Sequence, residues 1–447
     1  MSRPTTSQPA PVSPEHVRET LGKYLIADGF PIIFDLKRSH GAWVVDAASG
    51  KPYIDFYSFF ASLPLGFQPA VFHTSRNRER LYAAAVHKPS NSDADSVELA
   101  TFVETFARHA MPPPFRHLFF IEGGALAVEN ALKTAFDWKV RKNLAAGRSA
   151  GGSQILHFEQ AFHGRTGYTL SLTNTLPIKV QHFPKFSWPR ITNPKLRFPI
   201  DAAELERVAE QEEQALAQAR EAFETNPHEI AAIIIEPIQG EGGDNHFRGE
   251  FLRALRALAD EHDALLIFDE VQTGFGLTGR FWAWEHFGAV PDIVCFGKKS
   301  QVCGIMAGPR IDEVPDNVFR VSSRLNSTWG GSLVDMVRCE IILEVMQQEQ
   351  LLERVVETGA ELNQRLADLA EEFPKVVSGV RGRGLLCAFD CPDASWRQRI
   401  LTAALDEGVL LLPCGERSIR LRPALVIASE EISEAHQRIR KAIQGLQ

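Results

Sequence analysis

The sequence predicts an α/β protein, with a large domain on a mostly parallel sheet and a smaller α+β domain. Three observations predict it. Short apolar runs alternate with helical patterns through the middle of the chain, the signature of βαβ units. The 447 residues exceed one ordinary domain of ~100–200 residues. After residue 335 the alternation gives way to long helical patterns followed by short strands. The expected divisions are an arm at 1–15, an N-terminal part of the small domain at 16–70, the large domain at 71–332 and the rest of the small domain at 333–447.

In chain order, "RHLFFIE" (116–122) reads as a buried strand. The helix after it carries Leu126, Val128, Ala131, Leu132, Ala135 and Phe136 on one face. "SQILHFE" (153–159) and "YTLSLTN" (168–174) read as strands. The acidic stretch 203–224 reads as a solvated helix without a chemical role. "EIAAIIIEP" (229–237), "ALLIFDE" (264–270) and "DIVCFGK" (292–298) read as further strands. Between the first two, Phe247, Phe251, Leu255 and Leu258 recur at helical spacing. One long helix is expected over 333–373, and the segments "VVSGVRGRGLLCAFD" and "GVLLLPCGERSIRLRPALV" supply the last strands.

Composition excludes several classes. Hydrophobic residues make up 44% and charged residues 23%, which suits a globular enzyme with a sizeable core. A net charge of −8 argues against nucleic acid as a partner, because phosphate binding needs a basic surface. No apolar run approaches the ~18 residues of a membrane helix, so no membrane partner is expected. Six cysteines without a C-x-x-C pair form no disulfide framework and point to a reducing, cytoplasmic compartment. The opening "MSRPTTSQPAPVSPEH" is polar and Pro-rich, lacks the apolar core of a signal peptide, and reads as a flexible arm.

Ligands of open parallel sheets bind outside the carboxyl ends of the strands. The polar residues there are Glu122 with Gly123 and Gly124, Glu236, Asp269 with Glu270, and Lys298. An Asp-Glu pair ending a strand can hold magnesium on a nucleotide, but no G-x-x-x-x-G-K-[ST] loop accompanies it. No metal site is expected. Pyridoxal 5′-phosphate (PLP) instead needs a lysine for its aldehyde, a carboxylate for its ring nitrogen and a phosphate cradle. Lys298 and Asp269 on neighbouring strands supply the first two, and a lysine at a buried strand end loses basicity. Lys299 leaves the choice of lysine open on chemistry alone. "EGGALAVEN" supplies the cradle, since glycines admit the phosphate and the helix N-terminus faces it.

The stretch "IFDEVQTGFGLTGRFWAWEHFGAVPDIVCFGK" resembles the signature of the class III aminotransferases, PLP enzymes of fold type I. "FFIEGGALAVENALKTAFDWKVRKN", "AFHGRTGYTLSLTNT", "FGKKSQVCGIMAG" and "NSTWGGSLVDMVR" resemble the subgroup that transfers the ε-amino group of L-lysine. The resemblance covers residues 15–445. It implies Lys298 as the Schiff-base lysine, Asp269 on the ring nitrogen, Gln272 on the ring hydroxyl and Phe162 stacked on the cofactor. It also implies Gly124 and Ala125 at the phosphate. Thr328 in "NSTWGG" would reach the phosphate of the other subunit of a homodimer, and Asn326 in the same motif would contact substrate. Where many relatives have S-G-T, this chain has Gly123-Gly124-Ala125, so phosphate binding leans on backbone N–H groups and Thr328.

The implied substrates are L-lysine and 2-oxoglutarate. Arg165 would grip the distal carboxylate, Arg420 the α-carboxylate of 2-oxoglutarate, and Glu241 would mask Arg420 when lysine binds. The nearest alternative is another ω-aminotransferase acting on ornithine, acetylornithine or 4-aminobutyrate. Arg422 competes with Arg420 for its part, and Glu241 also reads as an ordinary loop acid. His163 reads as structural, with lining the site as its alternative, Glu236 reads as orienting its neighbours, and Arg381 and Arg383 read as structural.

Overall fold

The computed structural model describes residues 11–447. Residues 1–10 of the expected arm lie outside the described residues. Pro14–His16 forms a 3-10 turn that leads into the helix Val17–Gly22.

A seven-stranded sheet forms the centre. Its order is His117–Ile121, Cys303–Ala307, Ile293–Phe296, Leu265–Asp269, Ile230–Ile235, Gln154–Phe158, Arg190–Ile191. Every strand but Cys303–Ala307 runs the same way. Ile230–Ile235 and Leu265–Asp269 are buried at every position, because helices cover both faces of a parallel sheet and leave no solvated side. The expected α/β class with a mostly parallel sheet is therefore what the chain forms. The antiparallel strand was not foreseen. Only Gly297–Val302 separates it from Ile293–Phe296, and a link that short joins antiparallel strands but cannot make a parallel crossover.

A four-stranded antiparallel sheet follows, in the order Ser378–Arg383, Leu386–Asp390, Ser418–Leu421, Leu412–Cys414. A third sheet joins the two ends of the chain: Pro52–Asp55 pairs antiparallel with Trp43–Val45 and parallel with Val409–Leu410.

Three local expectations fail for physical reasons. The stretch 168–174 holds a short buried helix, Thr169–Leu172, not a strand. The carboxylate of Glu129 accepts the N–H groups of Tyr168 and Thr169 at 2.7 and 3.3 Å and so caps the turn. The long C-terminal helix is two, Leu333–Gln348 and Leu351–Glu372, broken at Gln350 in the left-handed region (φ 49°). The acidic helix, Ala202–Thr225, buries a stripe of Val208, Ala215, Ala219 and Phe223. Two acids on that stripe, Glu204 and Glu212, are paired with Arg207 and Arg248. In the helix Gly124–Ala145, Val128, Ala131, Leu132 and Ala135 are buried as expected, while Leu126 is exposed.

The acid pair ending Leu265–Asp269 is divided by the chain's turn. Glu270 faces inward and accepts N–H bonds from Ala283 and Trp284 at 2.8 and 2.7 Å and the Thr273 hydroxyl at 3.0 Å. Burial pushes its carboxyl up to about 7, against the pull of those donors. Its part is to tie the following loop to the sheet. Glu270→Ala leaves two buried N–H groups without an acceptor and is expected to cost about 3 kcal/mol of unfolding free energy. Denaturant titration checks this against Glu250→Ala on an exposed helix face; equal midpoints for the two variants would contradict the assignment.

Candidate active site

A cleft of about 580 Å³ opens at the carboxyl ends of the central strands. The strand His117–Ile121 delivers Gly123, whose φ of 101° suits glycine, and the helix Gly124–Ala145 begins at once. Among the described residues no side chain caps that helix, so its first N–H groups and positive dipole end face the cleft. The glycine at 124 lets the loop approach closely: a Cβ there would lie 2.8 Å from Val271 Cγ1.

Asp269 ends the next-but-two strand and lines the cleft. Its Oδ2 lies 2.8 Å from His163 Nδ1, and its Oδ1 accepts the Val271 N–H at 3.1 Å. Asp269 pairs in register with Cys295 on the adjacent parallel strand, so Lys298, three residues on, emerges beside it. Burial pushes the Lys298 amine down from the ordinary lysine value; Asp269 opposes that shift and does not cancel it. Lys299 points elsewhere. Its buried Nζ donates to the Gln272 carbonyl at 3.1 Å.

Gly124, Ala125, Phe162, Arg165, Glu241, Asp269, Gln272 and Lys298 are thus brought to one cleft, together with His163 and Glu236. Glu236 accepts the Phe162 and Gly240 N–H groups, each at 3.0 Å, which fixes two loops of the rim. Burial pushes its carboxyl up to about 7, with His163 opposing and Asp269 adding to the shift. His163, expected to be structural, lines the cleft and touches Asp269.

Arg420 stands behind Glu241, with Nη2 2.5 Å from Glu241 Oε2 and Nη1 3.4 Å from Gln272 Oε1. Although burial disfavours its charge, Arg420 and Lys179 hold the Glu241 carboxyl below the usual range. Arg422 is locked, since it forms a fully buried pair with Asp244 and donates to the carbonyls of Cys387 and Leu421. Arg381 is structural as expected and donates to the Gly243 and Asp244 carbonyls and to Asp390.

Asn326 and Thr328 are not brought to this cleft. The Thr328 carbonyl accepts the Ser90 hydroxyl, and Trp329 covers the Lys88 ammonium at 3.9 Å. Sequence reasoning missed Ser62, Gln301 and Cys303 on the cleft wall, and Lys179, whose ammonium pairs with Glu241. Lys179 ends an irregular turn, Pro177–Lys179, 62 residues from Glu241, and neither periodicity nor motif marks it.

Residues 26–443 match the family model described as aminotransferase class-III. The chain belongs to the class-III aminotransferases. It is 54% identical to the L-lysine-epsilon aminotransferase of Mycobacterium tuberculosis, over 97% of this chain and 96% of that one. The L-lysine-epsilon aminotransferase of Streptomyces clavuligerus is 50% identical over 96% of this chain and 94% of the relative. The solved lysine aminotransferase from M. tuberculosis in the internal aldimine form superposes with a TM-score of 0.95 at 53% identity. It covers 98% of this chain and 100% of that one.

Class-III aminotransferases depend on PLP, and the fold is that of the fold type I PLP enzymes. The donor set in the cleft fits the group: a carboxylate for the ring nitrogen, a buried amine for the aldehyde, and an uncapped helix N-terminus for the phosphate. We propose that Lys298, Asp269, Gln272, Phe162, Gly124 and Ala125 hold it. Borohydride reduction of the holoenzyme should fix the cofactor to the peptide carrying Lys298, as peptide mass mapping reads; a label on Lys299 would contradict the assignment. Asp269→Ala should keep the fold yet lower turnover by roughly 10²-fold or more, through loss of a preorganised charge at the ring. Turnover near that of the parent enzyme would remove Asp269 from the machinery.

Proposed function

We propose that this aminotransferase moves the ε-amino group of L-lysine to 2-oxoglutarate. The products are L-glutamate and 2-aminoadipate 6-semialdehyde, which cyclises to piperideine-6-carboxylate. The observation that carries the reading is the Glu241–Arg420 pair at the rim of the cleft. A transaminase must accept two substrates in one site. 2-Oxoglutarate brings a carboxylate beside its reacting carbon, and lysine brings only a methylene chain there. A guanidinium that an acid can cover or uncover serves both. Identity of 50–54% along nearly the whole chain to proteins named for lysine supports the choice of donor.

PLP supplies an electron sink that makes the substrate carbon acidic once its amine is attached. The protein's residues do the rest. Lys298, made less basic by burial, takes the proton from the carbon bearing the reacting amine and returns it nearby, as general base and then acid. Asp269, steadied by His163 and the Val271 N–H, would hold the ring nitrogen in its protonated form. Phe162 would pack on the ring when PLP is bound, and Glu236 positions Phe162 by accepting its N–H. Arg165 grips the distal carboxylate of either substrate with its planar fork. A homodimer completes the site, with Thr328 of one protomer reaching the phosphate bound in its partner. The enzyme works in the cytoplasm, a reading supported by its six free cysteines, all buried. No helix among the described residues is long and apolar enough to cross a membrane.

A panel of amine donors with 2-oxoglutarate, with o-aminobenzaldehyde trapping the cyclic product, tests the donor. Lysine should exceed ornithine, one methylene shorter, by roughly tenfold or more in kcat/KM. Ornithine, acetylornithine or 4-aminobutyrate as the better donor would overturn the lysine assignment. Arg165→Ala should impair both half-reactions, while Arg420→Ala should impair chiefly the 2-oxoglutarate half. Equal losses in both halves for Arg420→Ala would contradict the masking model.

A further inference from the structure

Glu241 has two cationic partners. Its Oε2 meets Arg420 Nη2 at 2.5 Å, and its Oε1 meets the ammonium of Lys179. The two cations differ in freedom. Arg420 is only 2% exposed, lies on the strand Ser418–Leu421, bonds Gln272 and sits 5.7 Å from the centre of the Phe60 ring. Lys179 ends a single 3-10 turn in a stretch that pairs with no strand, and a fifth of its side chain is exposed. Its Nζ also lies 5.4 Å from the centre of the Phe162 ring, so its charge stays at the mouth of the cleft.

We propose that Lys179 is the second seat of Glu241, the cation that keeps this carboxylate when it leaves Arg420, and hence a positioning residue for the oxo-acid half of the reaction. The inference rests on the proposed function, in which Arg420 must be uncovered for the α-carboxylate of 2-oxoglutarate. Glu241 is largely buried, and a carboxylate drawn off its only partner in such a place is costly. With Lys179 already bonded to the other oxygen, Glu241 can release Arg420 and remain paired. A lysine suits the task, since its compact charge and flexible stem follow a moving carboxylate where a planar guanidinium would fix it. The ligand then shifts a balance between two paired states.

Half-reactions of the holoenzyme followed by stopped-flow absorbance test this. Lys179→Met keeps the stem and removes the charge. It should weaken the apparent affinity for 2-oxoglutarate and glutamate roughly tenfold while kcat/KM of the amine-donor half stays within about twofold, a coupling of ordinary allosteric size. Lys179→Arg should restore part of the loss. In a Glu241→Gln background, Lys179→Met should add nothing, because there is no carboxylate to seat. A loss confined to the amine-donor half would make Lys179 a substrate contact. That result, equal losses in both halves, or full additivity with Glu241→Gln would overturn the inference. The comparison uses glutamate against whichever amine donor the panel selects, so a wrong donor assignment and a wrong role for Lys179 give different results.

Discussion

A carboxylate buried at the end of a central strand is the constraint on which the rest of this structure depends. A charge taken out of water must be met by donors, and Asp269 is met by the His163 ring and the Val271 N–H. The parallel register that sets Asp269 beside Cys295 also fixes where the next strand ends, and so where Lys298 emerges. The acid ends a fully buried central strand, and the amine opens the 3-10 turn Lys298–Ser300 just past the neighbouring one. The loops around them carry the parts that differ between substrates.

Two arginines two positions apart on the same chain segment show how surroundings divide labour. Arg422 and Asp244 are both fully buried, and Arg422 has further carbonyl partners, so that pair fastens the smaller sheet to the loop after Ile238–Gln239. Arg420 faces Glu241, which is partly exposed and has a second cation within reach. A locked pair beside a movable one gives a rim that keeps its shape while one charge is covered or uncovered. The neighbouring acids follow the same logic: Glu270 serves the fold and Asp269 the cleft, although they adjoin in sequence.

Much of this was legible in the sequence. Buried parallel strands appear as near-continuous apolar runs, so their ends could be located, and Gly123, Gly124, Glu236, Asp269 and Lys298 at those ends line one cleft, while Glu122 and Glu270 do not. What stayed hidden was of two kinds. Some features are local but carry no mark: the break at Gln350 has neither glycine nor proline, and Cys303–Ala307 follows its neighbour too closely to look like a separate strand. Others are contacts across long separations. His163 meets Asp269 across 106 residues, and Lys179 meets Glu241 from an irregular turn, so only the folded chain brings them together.

On the proposed assignment, Asp269 holds a proton on the cofactor's ring nitrogen, so that Lys298 works against an electron-poor ring. Nitrogen-15 NMR of the holoenzyme reconstituted with ring-labelled PLP measures this directly. The parent enzyme should give the chemical shift of a protonated pyridinium, and Asp269→Ala that of a neutral pyridine. A neutral ring nitrogen in the parent enzyme at neutral pH would contradict the assignment.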